Sequence, residues 1–222
     1  MPSESEYAEE RSRLFEETLK KATEDIKVDC RRGCTYCCYG VTLWIKRVEA
    51  VLMVDFLNRL PLKERKEIWH RIKNYAKLYE EEAKRVGYAP SFPIKEEDLD
   101  IEKLGVIGGL GMNEVPCPFL EEHTGVCLIY EARPDMCRLM LYENSSVCKR
   151  DWENPLGFLW KREIAPFMDD IKARFFPRWK LKRGELSKKF PSLEQEKLEG
   201  EVGFVTHFIR FDPVRKVFKV TG

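Results

Sequence analysis

Eight cysteines constrain this chain more than any other feature. Cys30, Cys34, Cys37 and Cys38 fall within nine residues, and Cys117, Cys127, Cys137 and Cys148 follow at intervals of about ten. Short C-x3-C and C-x2-C spacings let a turning backbone bring two or three sulfurs to one point, at the ~2.3 Å that zinc–sulfur ligation needs. Gly33 permits the tight turn. Cys37 and Cys38 are adjacent, so their side chains are expected to diverge. One of them then turns to a second site, bridges two metals or stays free. The first loop supplies three ligands, and at least one more must come from Cys117 onward. Such a clip closes the whole 41–116 stretch and removes unfolded-state entropy.

The surroundings of the thiols bear on their use. The opening Met1-Pro2-Ser3-Glu4-Ser5-Glu6 lacks the basic-then-apolar pattern of a secretory leader. No apolar run approaches the ~20 residues that span a bilayer, so a cytoplasmic location is expected. Cytosolic proteins have little use for so many thiols unless they hold metal or do redox work. The single Gln, Gln195, and five Asn among many Lys, Glu and Arg give a thermophile bias. Intracellular proteins of hyperthermophiles can carry disulfides, so four bridges stand as an alternative, which the vicinal pair complicates.

Charge and pattern set the rest of the frame. Lys+Arg (39) and Asp+Glu (38) nearly cancel, so no global field draws the chain to nucleic acid or membrane. Lys172 to Lys189 interleaves basic residues with Phe175, Phe176 and Trp179. It carries no recognised nucleic-acid signature and reads as a solvated helix face. No membrane or nucleic-acid partner is therefore expected, and a protein or small-molecule partner stays unidentified. The 222 residues, 43% hydrophobic, suffice for one domain with its own core.

Elements can be placed along it. Ser3 and Glu6 have capping-box spacing, and Tyr7, Leu14, Phe15, Leu19, Ala22 and Ile26 continue at helical spacing to about Lys27. Arg47–Leu60 reads as a buried helix. Pro61 opens a second, which Gly87 stops, and the two are expected to pack as a hairpin. Tyr88 to Pro93 is a linker. The glycines of 105–111 lack the Lys-Ser/Thr of a phosphate loop and serve as a flexible approach to the next cysteines. Asn154-Pro155 caps a helix running on to Phe175, which Pro166 should kink. Phe204–Ile209 and Val217–Val220 read as a terminal hairpin around Asp212-Pro213.

The cysteine segments themselves have local signals. Cys117-Pro-Phe-Leu and Cys127-Leu-Ile-Tyr read as short strands joined by a turn at His123-Thr124-Gly125, and Arg133-Pro134 starts a short helix carrying Cys137. Arg31, Arg32, Arg133, Arg138, Lys149 and Arg150 flank the thiols, where cations lower thiol pKa values and offset thiolate charge. His123 belongs at a solvated turn tip, His70 and His207 read as structural, and Asp135 or Glu131 are minor candidates for a mixed site.

Together these residues resemble the CxxCxxCC (YkgJ-like) cysteine-cluster family, described as zinc- or iron-chelating. The match runs through Cys30-Arg-Arg-Gly-Cys34-Thr-Tyr-Cys37-Cys38, Cys117-Pro118-Phe119-Leu120, Gly125-Val126-Cys127-Leu128-Ile129-Tyr130 and Arg133-Pro134-Asp135-Met136-Cys137-Arg138, and ends at Cys148. The resemblance implies metal binding by Cys30, Cys34, Cys37, Cys38, Cys117, Cys127, Cys137 and Cys148, and implies no particular reaction.

All-sulfur ligation suits either Zn2+ or an iron-sulfur cluster. Irregular close spacing with a distant ligand favours a [4Fe-4S] cluster. Cys30-x3-Cys34-x-Tyr36-Cys37 also matches the C-x3-C-x-aromatic-C signature of radical S-adenosylmethionine enzymes. Those resemble partial (β/α) barrels with the motif after a first strand, whereas here it follows a helix and no strand-helix repeats come after. Flagellin lysine methylases carry a similar cysteine run. No paired carboxylates or nucleophile-base motif stands out, so no reaction is assigned.

The expected fold is α+β, mainly helical, with short β-hairpins and two cysteine-rich loops converging on a metal centre. Residues 1–222 form a single domain. Within it, 30–148 is the metal-binding core with a helical insert at 41–116, and 149–222 is a C-terminal helix and hairpin extension. The expected function is metal binding, as a [4Fe-4S] cluster with a redox or modification role; the alternative is a structural zinc protein acting as an interaction module.

Overall fold

The helix predicted from Ser3 begins where its capping box places it. Ser3 Oγ accepts the Glu6 N–H at 3.2 Å, and the Glu6 carboxylate accepts the Ser3 N–H at 2.7 Å. A computed structural model describes residues 2–29, 33–88, 93–108, 112, 114–141, 143 and 165–221. Cys30, Cys148 and the Asn154-Pro155 cap therefore lie outside the described residues, as does most of the Tyr88–Pro93 linker.

In chain order the elements are α1 (Glu4–Ala22), β1 (Trp44–Lys46), α2 (Arg47–Arg59), α3 (Leu62–Val86), β2 (Ile94–Lys95), α4 (Ile101–Val106), β3 (Leu120–Glu121), β4 (Val126–Cys127), α5 (Asp135–Leu139), α6 (Ala165–Lys189), α7 (Gln195–Glu199), β5 (Glu201–Phe204), α8 (Val205–Phe208), β6 (Ile209–Asp212) and β7 (Val217–Val220). The result is mainly helical α+β, with three small antiparallel sheets: β1-β5-β2, β3-β4 and β6-β7. No described helix is long and apolar enough to cross a membrane. Nor does any series of parallel strand-helix units appear among the described residues.

Several expectations need correction. Helix α1 stops at Ala22, short of Lys27, where Thr23 leaves the helical backbone at φ −117° and ψ 7°. Helices α2 and α3 do not chiefly face each other. The first packs mainly on α1 and β7, and the second on α8. Helix α3 does end as predicted: Gly87 takes φ +70° and the Tyr88 N–H reaches back to the Ala83 carbonyl at 2.8 Å. Of the helix expected from Asn154-Pro155 onward, the described part is Ala165–Lys189, with Pro177 inside it; the stretch ahead of it, on which the expected kink depends, lies outside the described residues. The terminal hairpin pairs Ile209–Asp212 with Val217–Val220. Phe204 instead closes a strand of the other sheet and Val205–Phe208 winds into a helical turn.

Two apolar cores result, and α2 feeds both. Met53 and Leu57 join Ile45, Ile72, Phe119 and Phe204 in one. Val48 and Val51 join Tyr7, Phe15, Phe175 and Trp179 in the other. Phe15 packs between Phe175 and Trp179, at ring-centroid distances of 4.7 and 5.2 Å. Full burial of an aromatic side chain of this kind contributes about 1.5–3 kcal/mol. The aromatic residues of 172–189 are thus divided: Phe175 and Trp179 are buried, and Phe176 lies on the solvent face.

Candidate metal centre

The first cysteine loop is shaped by glycine and a single 3-10 turn. Gly33 has φ +95°, and Tyr36–Cys38 winds tightly enough for the Cys38 N–H to reach the Thr35 carbonyl at 2.8 Å. Beyond it, backbone bonds join the loop to the distant thiols. The Cys117 N–H donates to the Cys38 carbonyl at 2.7 Å, the Gly40 N–H donates to the Val115 carbonyl at 3.2 Å, and Tyr39 bridges Pro116 in antiparallel fashion. Gly108 lies against the same loop; a Cβ there would clash with the Gly40 carbonyl oxygen.

The later thiols follow from the predicted hairpin and helix. Strands β3 and β4 pair Leu120 with Cys127, and the Leu128 N–H donates to the Phe119 carbonyl at 2.8 Å. The turn between them needs Gly125, which has φ +67° and whose Cβ would lie 2.9 Å from Thr35 Cγ2. The hairpin tip is thereby seated on the first loop. Pro134 caps α5, which carries Cys137.

Electrostatics places the sulfurs in one neighbourhood. The Cys117 thiol is pushed well up by burial and by Cys137, Cys127 and Cys37. The Cys137 thiol is pushed up by burial, then by Cys37 and Cys127, against the lowering pull of Arg133. The Cys37 thiol is raised by a hydrogen bond shared with Cys38 and by burial, again against Arg133. So Cys37, Cys117, Cys127 and Cys137 act on one another across a gap of many residues, and Cys38 is tied to the group through Cys37. The vicinal pair, expected to diverge, is electrostatically coupled: Cys38 raises the Cys37 thiol. Cys34 is half-buried in the same loop.

Other expectations resolve differently. All six described cysteines are free, so no disulfide joins any of them. Among the described residues, no group of three His, Cys, Asp or Glu side chains is arranged to hold a metal ion. Two of the eight expected ligands, Cys30 and Cys148, lie outside that set. His123 is exposed at its turn tip. His70 is exposed on α3 beside the Asn74 amide at 3.1 Å, and His207 packs edge-on to Phe208. Of the flanking cations, Arg133 faces the thiols and stacks over Tyr130 at 4.2 Å. Arg138 turns away, to the Arg133 and Glu131 carbonyls and the Glu16 carboxylate. Arg31, Arg32, Lys149 and Arg150 lie outside the described residues.

Sequence reasoning missed the buried charges behind α5. Asp135 is not free to ligate, because the Arg11 guanidinium holds both its oxygens, and the Glu49 carboxylate accepts its N–H at 2.6 Å. Arg11 also reaches Glu199 at 2.7 Å, to which the Tyr7 hydroxyl donates at 2.9 Å. A signal was present: Arg11 interrupts the apolar stripe of α1 between Tyr7 and Leu14.

The donors suit a thiophilic metal by their chemistry, although no three described side chains are arranged around one point. Soft sulfur ligands select zinc or iron-sulfur centres, and several thiols that raise one another's pKa would be reversed by a cation among them. Joined loops that gather thiols from both halves of the chain define a cysteine-cluster protein. The CxxCxxCC family, "putative zinc- or iron-chelating domain", matches residues 29–155 of the 222, and the chain belongs to that family. No curated protein and no solved structure matches it.

Proposed function

We propose that the protein holds a [4Fe-4S] cluster between its two cysteine segments and uses it in a redox or modification role. The observation that carries this reading is the mutual electrostatic influence of Cys37, Cys117, Cys127 and Cys137. Those four would hold the cluster, with Cys34, Cys38, Cys30 and Cys148 as further thiol donors. When bound, such a cluster supplies one-electron chemistry. Residues of the chain do the rest. Arg133 offsets thiolate charge, burial around Cys117 limits solvent access, and the Cys38–Cys117 backbone bond fixes the two segments against each other.

A structural Zn2+ is the second reading, and the same observation favours it, since four thiols meet the needs of one tetrahedral ion. Anaerobic purification followed by iron, zinc and acid-labile sulfide analysis separates them. A brown protein whose visible absorbance bleaches on reduction, with iron and sulfide in equal amounts, is expected. A colourless protein with stoichiometric zinc would replace the cluster by the zinc module. Absence of both metals would overturn the chelating function itself.

A further inference from the structure

Helix α6 has two faces of different character. Ile171, Phe175 and Trp179 recur every fourth residue and are buried in the core that α6 shares with α1. On the opposite side Ala173, Pro177, Leu181 and Gly184 recur at helical spacing, and all are exposed. Phe176 and Lys180 stand beside them. Leu181 is 71% exposed and Phe176 50%. Apolar residues that adjoin one another inside a charged rim mark an interaction surface, whereas single ones do not.

The rim is of one sign. Asp169 and Asp170 are paired with Lys172 and Arg174, Arg174 also holds Asp25, Glu185 pairs with Lys182, and Glu10 of α1 pairs with Lys189. Every acid of α6 is thus neutralised. Arg178, Lys180, Arg183 and Lys188 are exposed and make no ion pair among the described residues. The Arg178 guanidinium donates to the Arg174 carbonyl, which leaves its charge uncompensated. By helical spacing Arg178 and Arg183 fall on the two flanks of the apolar face. The 39 cations and 38 acids of the whole chain conceal this local excess.

The counterpart must be anionic and must accept apolar side chains. Single-stranded nucleic acid is held by a series of stacking aromatics, but Phe175 and Trp179 face the core and leave Phe176 to act alone. Protein interfaces are depleted in lysine. An anionic bilayer surface uses both features together: apolar side chains enter the boundary between headgroups and acyl chains, and Lys and Arg lay their stems on apolar surface with the charged ends among the headgroups. We propose that the outward face of α6 docks on an anionic lipid surface, with Phe176 and Leu181 inserted and Arg178, Lys180, Arg183 and Lys188 among the headgroups. The inference does not depend on which metal the cysteines hold.

The test is co-sedimentation of the full chain with vesicles. At about 0.1 M salt the wild type should sediment with phosphatidylcholine vesicles that carry about one-third phosphatidylserine, and not with phosphatidylcholine alone; near about 1 M salt, where charges are screened within ~3 Å, it should be released. Each basic side chain near such a surface is worth about fivefold in binding, so the triple variant Arg178→Ala, Lys180→Ala, Lys188→Ala should bind about a hundredfold more weakly. Leu181→Ser should lose about tenfold through its apolar area. Val214→Ser is the control, since Val214 is 86% exposed at the tip of the terminal hairpin and should bind as the wild type does. All these positions face solvent, and circular dichroism should show each variant folded. A wild type that does not sediment with the anionic vesicles, or that sediments equally with both kinds, would overturn the proposal. So would α6 variants that bind as tightly as the wild type. Capture of a labelled oligouridylate without vesicle binding would overturn it in favour of nucleic acid.

Discussion

The guanidinium of Arg11 holds the Asp135 carboxylate through two bonds of 3.0 and 2.6 Å. The pair joins the N-terminal helix, which lies outside the family match, to the helix that carries Cys137. Arg11 is 4% exposed and also pairs with the buried Glu199. Replacing it by Met leaves two acids without their cation. Removing one partner from a buried pair costs about 3–5 kcal/mol, a loss that urea unfolding would register as a lower midpoint. Lys should not rescue it, because an ammonium cannot reproduce the planar two-bond grip. Stability equal to wild type in Arg11→Met would show that the network contributes nothing.

Gly125 makes a second case. Its φ of +67° strains any L side chain, and a Cβ would press on Thr35. Gly125→Ala should cost about 1–2 kcal/mol from the backbone alone and should weaken metal uptake, because the hairpin tip is displaced from the first loop. Gly87→Ala shares the positive φ but meets open space. It should cost about 1–2 kcal/mol with metal content intact. Equal metal content in both variants would separate the hairpin seat from the centre.

Ligation can be tested through stability. Cys37→Ser and Cys34→Ser should each lower metal content and melting temperature together, since ligation and folding share one free energy. Either variant keeping both quantities would remove that cysteine from the ligand set.

Glu49 gives a pH signature. Burial and the neighbouring Asp135 push its carboxyl up to about 7, against Arg11 and the N–H groups of Lys46 and Asp135. An unfolded Glu titrates near ~4.3. The folded state thus keeps its proton between those values, so stability falls as pH rises from about 4.3 through 7. Glu49→Gln should melt lower throughout, having lost one N–H acceptor worth about 1–2 kcal/mol, but with a flatter profile across that window. Parallel melting-temperature profiles from about pH 5 to 8 would exclude the titration.

The local grammar of the centre was legible in sequence. Gly125 announced a turn, Pro134 a helix start, and Ser3 with Glu6 a capped helix, because each signal acts over only a few residues. Side-chain partnerships across the fold were not. Nothing near Asp135 indicates that Arg11 will occupy it. The helical turn at Val205–Phe208 was hidden for a different reason. Its β-branched and aromatic residues favour a strand, but the Val205 N–H is taken by the Leu43 carbonyl at 2.9 Å and Phe208 is buried, so tertiary packing overrides local preference.

The bond from Cys117 to the Cys38 carbonyl also has a meaning in time. Cys117 follows Cys38 by 79 positions, which at ribosomal speed is an interval of about 4–16 s. The early sulfurs must therefore emerge and wait, reduced and unaccompanied, before their counterparts exist. A centre that draws on both segments cannot assemble before Cys117 has been made, so for that interval the first loop has no distant sulfur to meet.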